Sequence, residues 1–440
     1  MTRPPIRNAV IGVMNHRLVF VGDELPTTLT RADRRAEHSV ANLTDHAPSV
    51  VDLGDVAVIP ALINTHVHLE FSDLANPLGN PGMRLADWIG WVVRCRSQAS
   101  PLDAASASRR GIAESIAAGV GGLVDIGSPG WRDRDDGSMS SEVRSLIRQT
   151  RSLPLRIQRL SEVIGLDDQR WQTTLNNAEE LRCKPLNDQN VAKVAVEDDR
   201  FDDDVRFGLS PHAPYSLSRS GLDTVLRLAR RTNQVVAMHI AESPDERTLL
   251  KTGEGPFADA LENLGIEPKP HFPWPSDDPF GDLIDRLSVA PRGLLIHAND
   301  LRSDEIDRLA KHPHLSVVYC PRTHAFFGHD PHPIDDMWRR GVRVAIGTDS
   351  RASNPDLNLW SELKHVWTHR RDLDPMQILR AATLEGAEAM GWSDMGRIEV
   401  GCRADLVAVP VVGDRSESWF DAWMGVDHPV FLPHCNPSGE

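Results

Sequence analysis

Apolar residues in this chain gather in short runs of aliphatic and β-branched side chains, which recur at intervals from residue 56 onward. Eight runs stand out: Val56–Ile63, Gly121–Ile126, Leu155–Ile164, Val205–Leu209, Val235–Ile240, Gly293–Ile296, Leu315–Tyr319 and Val342–Ile346. Unbroken runs of this length read as strands buried on both faces, the pattern of a parallel sheet. The stretches between them carry helical periodicity with start and stop signals. Ser100 and Pro101 followed by Asp103 predict a helix start, and Gly119 its end. Ser218 opens another helix towards Asn233, with Leu222, Val225, Leu226 and Ala229 on one face. Eight strands alternating with helices predict an α/β fold, a closed (β/α)₈ TIM-like barrel. The structural alternative is a doubly wound open sheet. That fold would carry a glycine-rich phosphate loop after its first strand, and no GxGxxG occurs there.

The flanks have a different pattern. Ala9–Val13, Leu18–Val21 and Val50–Leu53 read as short strands, as do Gly396–Ile398 and Ala404–Val412 near the other end. The expectation is a small β-sandwich domain built from both chain ends, residues 1–55 plus 396–440, beside a barrel over residues 56–395. Segments 128–142, 184–204 and 266–282 are rich in Pro, Gly and Asp and read as exposed loops, candidates for lids over a site.

Composition narrows the classes of partner. Of 440 residues, 40% are hydrophobic and 25% charged, with a formal net charge of −15. Such a field repels nucleic acid and anionic membranes, so a small-molecule substrate is the expected partner. The five cysteines, at 95, 183, 320, 402 and 435, form no CxxC pair and suggest neither a zinc knuckle nor a disulfide framework. The N-terminal stretch has no unbroken apolar core with a cleavage site, and no run approaches the roughly 20 apolar residues of a membrane span. A soluble cytoplasmic protein with reduced thiols is expected.

Candidate chemistry sits where the strands end. The first run leads into Asn64-Thr65-His66-Val67-His68-Leu69-Glu70. Residues i and i+2 of a strand share a face, so both imidazoles can reach one divalent ion. Three more apolar strands end in ionisable groups: Met238-His239-Ile240-Ala241-Glu242, Leu295-Ile296-His297 and Ile346-Gly347-Thr348-Asp349. Each taken singly reads as a hydrogen-bonded histidine or a capping acid. Together they form a nitrogen-rich set with one carboxylate at the catalytic end of a barrel. Such a set suits zinc or iron better than the all-oxygen shells of magnesium or calcium.

These motifs, with SPHAPYS (210–216), YCPR (319–322), IGTDS (346–350) and GRIEVGCRADLVAV (396–409), resemble the amidohydrolase superfamily over about residues 50–410. The likeness is greatest to its mononuclear aminohydrolase group, which includes cytosine, guanine, methylthioadenosine/adenosylhomocysteine and aminofutalosine deaminases and the triazine chlorohydrolases. Binuclear members usually place a carboxylated lysine on the fourth strand. Val205–Leu209 and the following Ser210-Pro211-His212 contain none, so a single metal is expected.

The resemblance implies one divalent transition metal, zinc with iron as the alternative, held by His66, His68, His239 and Asp349. It implies hydrolytic deamination of an amino-substituted heterocycle, a purine or purine-nucleoside-like compound, by metal-activated hydroxide. Asp349 would take the water's proton, Glu242 would protonate a ring nitrogen, and His297 would polarise the hydroxide or the oxyanion. The competing reading of Glu242 is an acid at the helix start near Ser243-Pro244. His212, Glu162, Arg322 and His324 are the candidate substrate contacts, with a hydrogen bond to a ligand histidine as the equal alternative for Glu162. Many relatives carry Ser-Asn where this chain has Thr323-His324, and Arg322 is read as a grip for a substrate carboxylate. A chlorohydrolase or cyclic amide hydrolase uses the same attack with another leaving group, and a scaffold protein would have lost its ligands. Relatives of this architecture are often dimers, so a homodimer is an open expectation.

Overall fold

A computed structural model describes residues 5–24, 50–98, 101–127, 155–183, 205–411 and 419–432. Eight parallel strands form the central sheet: β4 (Leu62–Val67), β5 (Val120–Gly127), β6 (Arg156–Val163), β7 (Val205–Pro211), β8 (Val235–Ile240), β9 (Arg292–His297), β10 (Leu315–Tyr319) and β11 (Arg343–Ile346), neighbours in chain order. The sheet curls until β11 returns to β4. There the Thr65 hydroxyl donates to the Ile346 carbonyl (2.8 Å) and the Asp349 N–H to the His66 carbonyl (3.0 Å). The closure needs a glycine. A Cβ at Gly347 would stand 2.8 Å from the His66 Cβ and 2.9 Å from its backbone, so any side chain there would push β11 off β4.

The strands bury both faces, which is why they read as continuous apolar runs. Ile63, Val124, Leu160, Ala237, Leu294 and Val318 belong to one core cluster with Met390, Trp392 and Met395 from beyond the last barrel strand. Leu62, Leu123, Leu209 and Val317 belong to the larger cluster shared with the surrounding helices. The helix Arg219–Thr232 is capped as predicted: the Ser218 side chain accepts from the Gly221 N–H and Asn233 takes the left-handed conformation, φ 54°. Leu222, Val225, Leu226 and Ala229 are buried. No described helix is long and apolar enough to cross a membrane.

The chain ends form two small antiparallel sheets. One is the hairpin β1 (Val10–Met14) and β2 (Arg17–Gly22); the other has the order β13 (Val430–Phe431), β12 (Leu406–Pro410), β3 (Val56–Pro60). They are joined by the Leu18 N–H donating to Cys402 O (2.8 Å), and by a shared core of Leu18, Cys402, Ala404 and Leu406.

Three local readings change. Val56–Ile63 is two strands: the chain leaves the small sheet at Ala61, whose N–H donates to Asp405 O, and enters the barrel at Leu62, whose N–H donates to Gly119 O. Both halves are apolar, so hydropathy shows no seam. Gly396–Ile398 is not a strand but a turn, with Gly396 at φ 72°. Val50–Leu53 lies in no strand either. Segment 266–282 packs by its aromatics, with Phe272 and Trp274 buried and the Trp274 N–H donating to Leu250 O (2.7 Å). The other two candidate lids, 128–142 and 184–204, lie outside the described residues.

Candidate active site

Four strand ends converge on one point. His66 is fully buried on β4, and His68 follows that strand as the cap of a short turn, Leu69–Phe71. His239 is the penultimate residue of β8, His297 ends β9, and Asp349 lies three residues past β11. The His68 and His239 Nε2 atoms are 3.3 Å apart. Asp349 Oδ1 lies 3.4 Å from His66 Nε2 and 3.8 Å from His68 Nε2. Two ligand sets fall within metal-binding reach, His66 with His68 and Asp349, and His66 with His239 and His297.

The protonation chemistry of this cluster fits a cation. Both ring nitrogens of His66, and Nδ1 of His68, are buried without a hydrogen-bond partner. The His239 Nδ1–H donates to the His212 carbonyl (3.0 Å), which leaves Nε2 bare towards the cluster. Burial, reinforced by His66, lowers His68 to about 3, and burial with His212 and His66 holds His239 well below the usual range. Burial alone would raise Asp349, but the His66 ring 3.4 Å away, together with His297 and His68, holds it below the usual carboxylate range. Neutral imidazoles and an ionised carboxylate with converging lone pairs are the ligating forms.

Glu242 sits beside the cluster, its Oε1 3.4 Å from His297 Nε2, while Asp349 Oδ2 is 4.0 Å from the same nitrogen. Burial, then the charges of Asp349 and Glu246, push the Glu242 carboxyl well above its ordinary value. His297 is lowered to about 3, chiefly by burial. His297 thus stands between one carboxyl that is pushed up and another that is held down.

Backbone strain collects here. Ala241 (φ 52°), His297 (71°), Ala298 (53°) and Asp349 (60°) all lie in the left-handed region, which costs such residues about 1–3 kcal/mol each. The surroundings hold them. Glu246 accepts from the N–H groups of Ala241 (3.0 Å) and Glu242 (2.9 Å), and His332 Nε2–H donates to the His297 carbonyl (3.0 Å).

Of the outer candidates, His212 and Glu162 adjoin the cluster. His212 Nδ1 is hydrogen-bonded to Ser216 Oγ (2.6 Å), and its Nε2 is 3.7 Å from Glu162. Glu162 in turn pairs with Arg96 (3.0 Å), which also holds Glu70 (2.5 Å). Arg96 and Glu70 had no predicted role. The other two candidates are turned elsewhere. Arg322 gives Nε to Glu362 (2.7 Å) and Nη2 to Asp356 (2.6 Å), so its guanidinium is committed to this chain's own carboxylates. His324 Nε2–H donates to the Asp330 carbonyl (2.9 Å). Trp88 packs edge-on against Phe327, and Trp91 is 45% exposed.

A buried ion pair was also missed. Asp125 on β5 pairs with Arg159 on β6, and its Oδ1 accepts from the Leu69 N–H (2.9 Å), directly after His68. A charged pair inside two fully buried strands is costly unless it is fully bonded, which is the signal the sequence offered. Asp125→Ala is expected to weaken transition-metal binding by about 10–100-fold, the usual cost of losing an outer-shell partner. Asp125→Asn, which keeps an acceptor for Leu69, is expected to lose less. Chelator competition measures both, and unchanged affinity in the alanine variant would confine the pair to core packing.

Comparison with known proteins adds an outside view. Residues 57–427 match the sequence model of the amidohydrolase family. The 5-methylthioadenosine/S-adenosylhomocysteine deaminase of Thermoanaerobacter pseudethanolicus is 26% identical over 409 residues, 88% of this chain and 77% of that one. Among solved structures, Helicobacter pylori aminofutalosine deaminase in complex with methylthio-coformycin superposes with a TM-score of 0.69 at 20% identity, covering 94% of this chain and 90% of that one. Atrazine chlorohydrolase from Arthrobacter aurescens, complexed with zinc, gives a TM-score of 0.64 at 20% identity over 96% and 88%.

Proposed function

Because this chain belongs to the amidohydrolase family, we propose that it is a hydrolytic deaminase of an amino-substituted heterocycle, a purine or purine-nucleoside-like compound. One observation carries the reading: two carboxyl groups flank His297, Glu242 pushed up and Asp349 held down. Environments that drive paired acids apart assign one as proton donor and the other as acceptor.

His66, His68, His239 and Asp349 are the proposed ligands of a single divalent transition metal, zinc first. Such an ion supplies Lewis acidity and lowers the pKa of water. Asp349 accepts the proton that the attacking water gives up. Glu242 donates a proton to the ring nitrogen next to the amino-bearing carbon, which makes that carbon electrophilic. His297, neutral and aimed at both carboxyls, gives a hydrogen bond to the oxygen as charge develops on it. The proton held by Asp349 then passes to the departing amine, and the remaining hydroxyl proton returns to Glu242 as the C=O bond forms, so water and substrate yield the oxo heterocycle and ammonia with both carboxyls restored. His212 and Glu162 are proposed to contact the substrate. Arg322 is reassigned to holding the segment after Asp349, through Glu362 and its bond from Asn354 Nδ2 (2.7 Å). A cytoplasmic location agrees with the free Cys95, Cys320 and Cys402.

The likeness to relatives named as purine-nucleoside deaminases supports the substrate class. A chlorohydrolase is the second reading, favoured by the atrazine chlorohydrolase fold match, since the same attack expels chloride. An ammonia-release screen of metal-loaded protein over adenine, guanine, cytosine and adenosine derivatives separates the two. Ammonia from a purine member, abolished by chelation and restored by zinc, is the expected result. Chloride from a chlorotriazine with no ammonia from any amine would replace this reading with the second.

A further inference from the structure

The loop after β10 carries an imidazole with no role in the steps above. Pro321–Phe327 is a short helix ended by Gly328, whose φ of 69° turns the chain back. His329 follows, in a turn fixed from both sides: its N–H donates to the His324 carbonyl (3.4 Å), and His324 Nε2–H donates to the Asp330 carbonyl (2.9 Å). The turn is tied to the site at one end, because His332 bonds the His297 carbonyl and stacks on Tyr319 (4.0 Å between centroids). It is tied to the loop after β4 at the other, by the Gly82 N–H donating to Phe326 O (2.7 Å) and by the Phe327–Trp88 contact.

Within this frame the His329 ring packs against His324 and Phe327, with centroids 5.5 and 5.7 Å away. Its Nε2 is buried and has no hydrogen-bond partner. A buried polar atom without a partner is costly, and at a binding site the missing partner is a ligand. Burial lowers the ring to about 4, so it is neutral and can donate one hydrogen bond. His329 also lies close enough to His297 to depress its proton affinity.

Topology says which part of a substrate it meets. β9, which carries His297, lies between β8, which leads to Glu242, and β10, which leads to His329. A heterocycle over His297 therefore presents one edge to Glu242 and the opposite edge to the loop after β10. We infer that His329 is a specificity-determining residue whose Nε2–H hydrogen-bonds the ring edge remote from Glu242, which in a 6-aminopurine is N7. This rests on the deaminase reading. It also gives His324, expected to touch substrate itself, the work of positioning its neighbour.

The test compares adenosine with 7-deazaadenosine, which lacks the acceptor, on metal-loaded wild type, His329→Ala and His329→Gln. Wild type is expected to prefer adenosine by roughly tenfold in kcat/KM, the scale of one hydrogen bond. His329→Ala is expected to bring adenosine down to the 7-deaza rate without changing the latter, at unchanged metal content and Tm. His329→Gln, which retains an N–H, is expected to keep part of the preference. A competent wild type whose discrimination survives His329→Ala, or an alanine variant that slows both nucleosides equally, overturns this assignment alone. A wild type that deaminates no purine overturns the proposed function and the assignment with it.

Discussion

Asp349→Ala is expected to reduce turnover by about 10⁴-fold, to the level of background, while the barrel stays folded. The carboxylate has two assigned tasks, as a ligand and as the proton acceptor, and its geometry serves both. Oδ1 faces His66 and His68 and accepts from the Ser350 N–H (2.8 Å); Oδ2 faces His297 and accepts from the Ser353 hydroxyl (3.3 Å). Alanine removes both oxygens at once. It must still adopt the φ of 60° found there, which costs an ordinary residue about 1–2 kcal/mol. Asparagine separates strain from chemistry, because it tolerates that conformation and keeps an acceptor for Ser350. Asp349→Asn is therefore expected to melt closer to wild type than the alanine variant and to be equally inactive. Substantial turnover by either variant with metal bound would remove Asp349 from the role of base.

The convergence of strand ends was legible because two periodicities carry it. The i, i+2 spacing of His66 and His68 needs only a strand, and His239, His297 and Asp349 each follow an apolar run of strand length. What stayed hidden depends on which loops and strands become neighbours. Nothing in the run Val56–Ile63 marks where it changes sheets, since both partners demand the same apolar side chains. Arg322 read as a free guanidinium because its claimants, Asp356 and Glu362, lie 34 and 40 residues further on. Arg96 and Glu70 meet only when the helix Leu85–Gln98 brings its last turn back to the turn Leu69–Phe71. The Asp125–Arg159 pair was different. An acid in GGLVDIG and a base in RIQRLSEV, both inside buried strands, demand partners, and each is the other's. His329 lies beyond the Thr323-His324 departure and drew no reading from the sequence; only the closed turn from 324 to 330 sets it apart.

The second large effect concerns Glu242, for which the sequence left a structural reading open. An acid just before Ser243-Pro244 is well placed to stabilise a helix start, and the helix Pro244–Thr252 does begin there. The structure gives that work to a different residue. Glu246 accepts from the N–H groups of Ala241 and Glu242, and the Ser243 side chain caps the helix by accepting from the Glu246 N–H. The Glu242 carboxyl points instead at His297. Glu242→Gln, nearly identical in shape, should therefore leave the helix, the melting temperature and the metal content unchanged, while kcat falls by about 10²–10⁴-fold, the range for losing a general acid. The pH profile gives an independent check. A donor works only while protonated, so wild-type kcat/KM should decline as pH rises through the raised pKa of this carboxyl, and the glutamine variant should lack that limb. A glutamine enzyme with wild-type rate and an unchanged profile would return Glu242 to the helix start and leave the ring nitrogen without its acid.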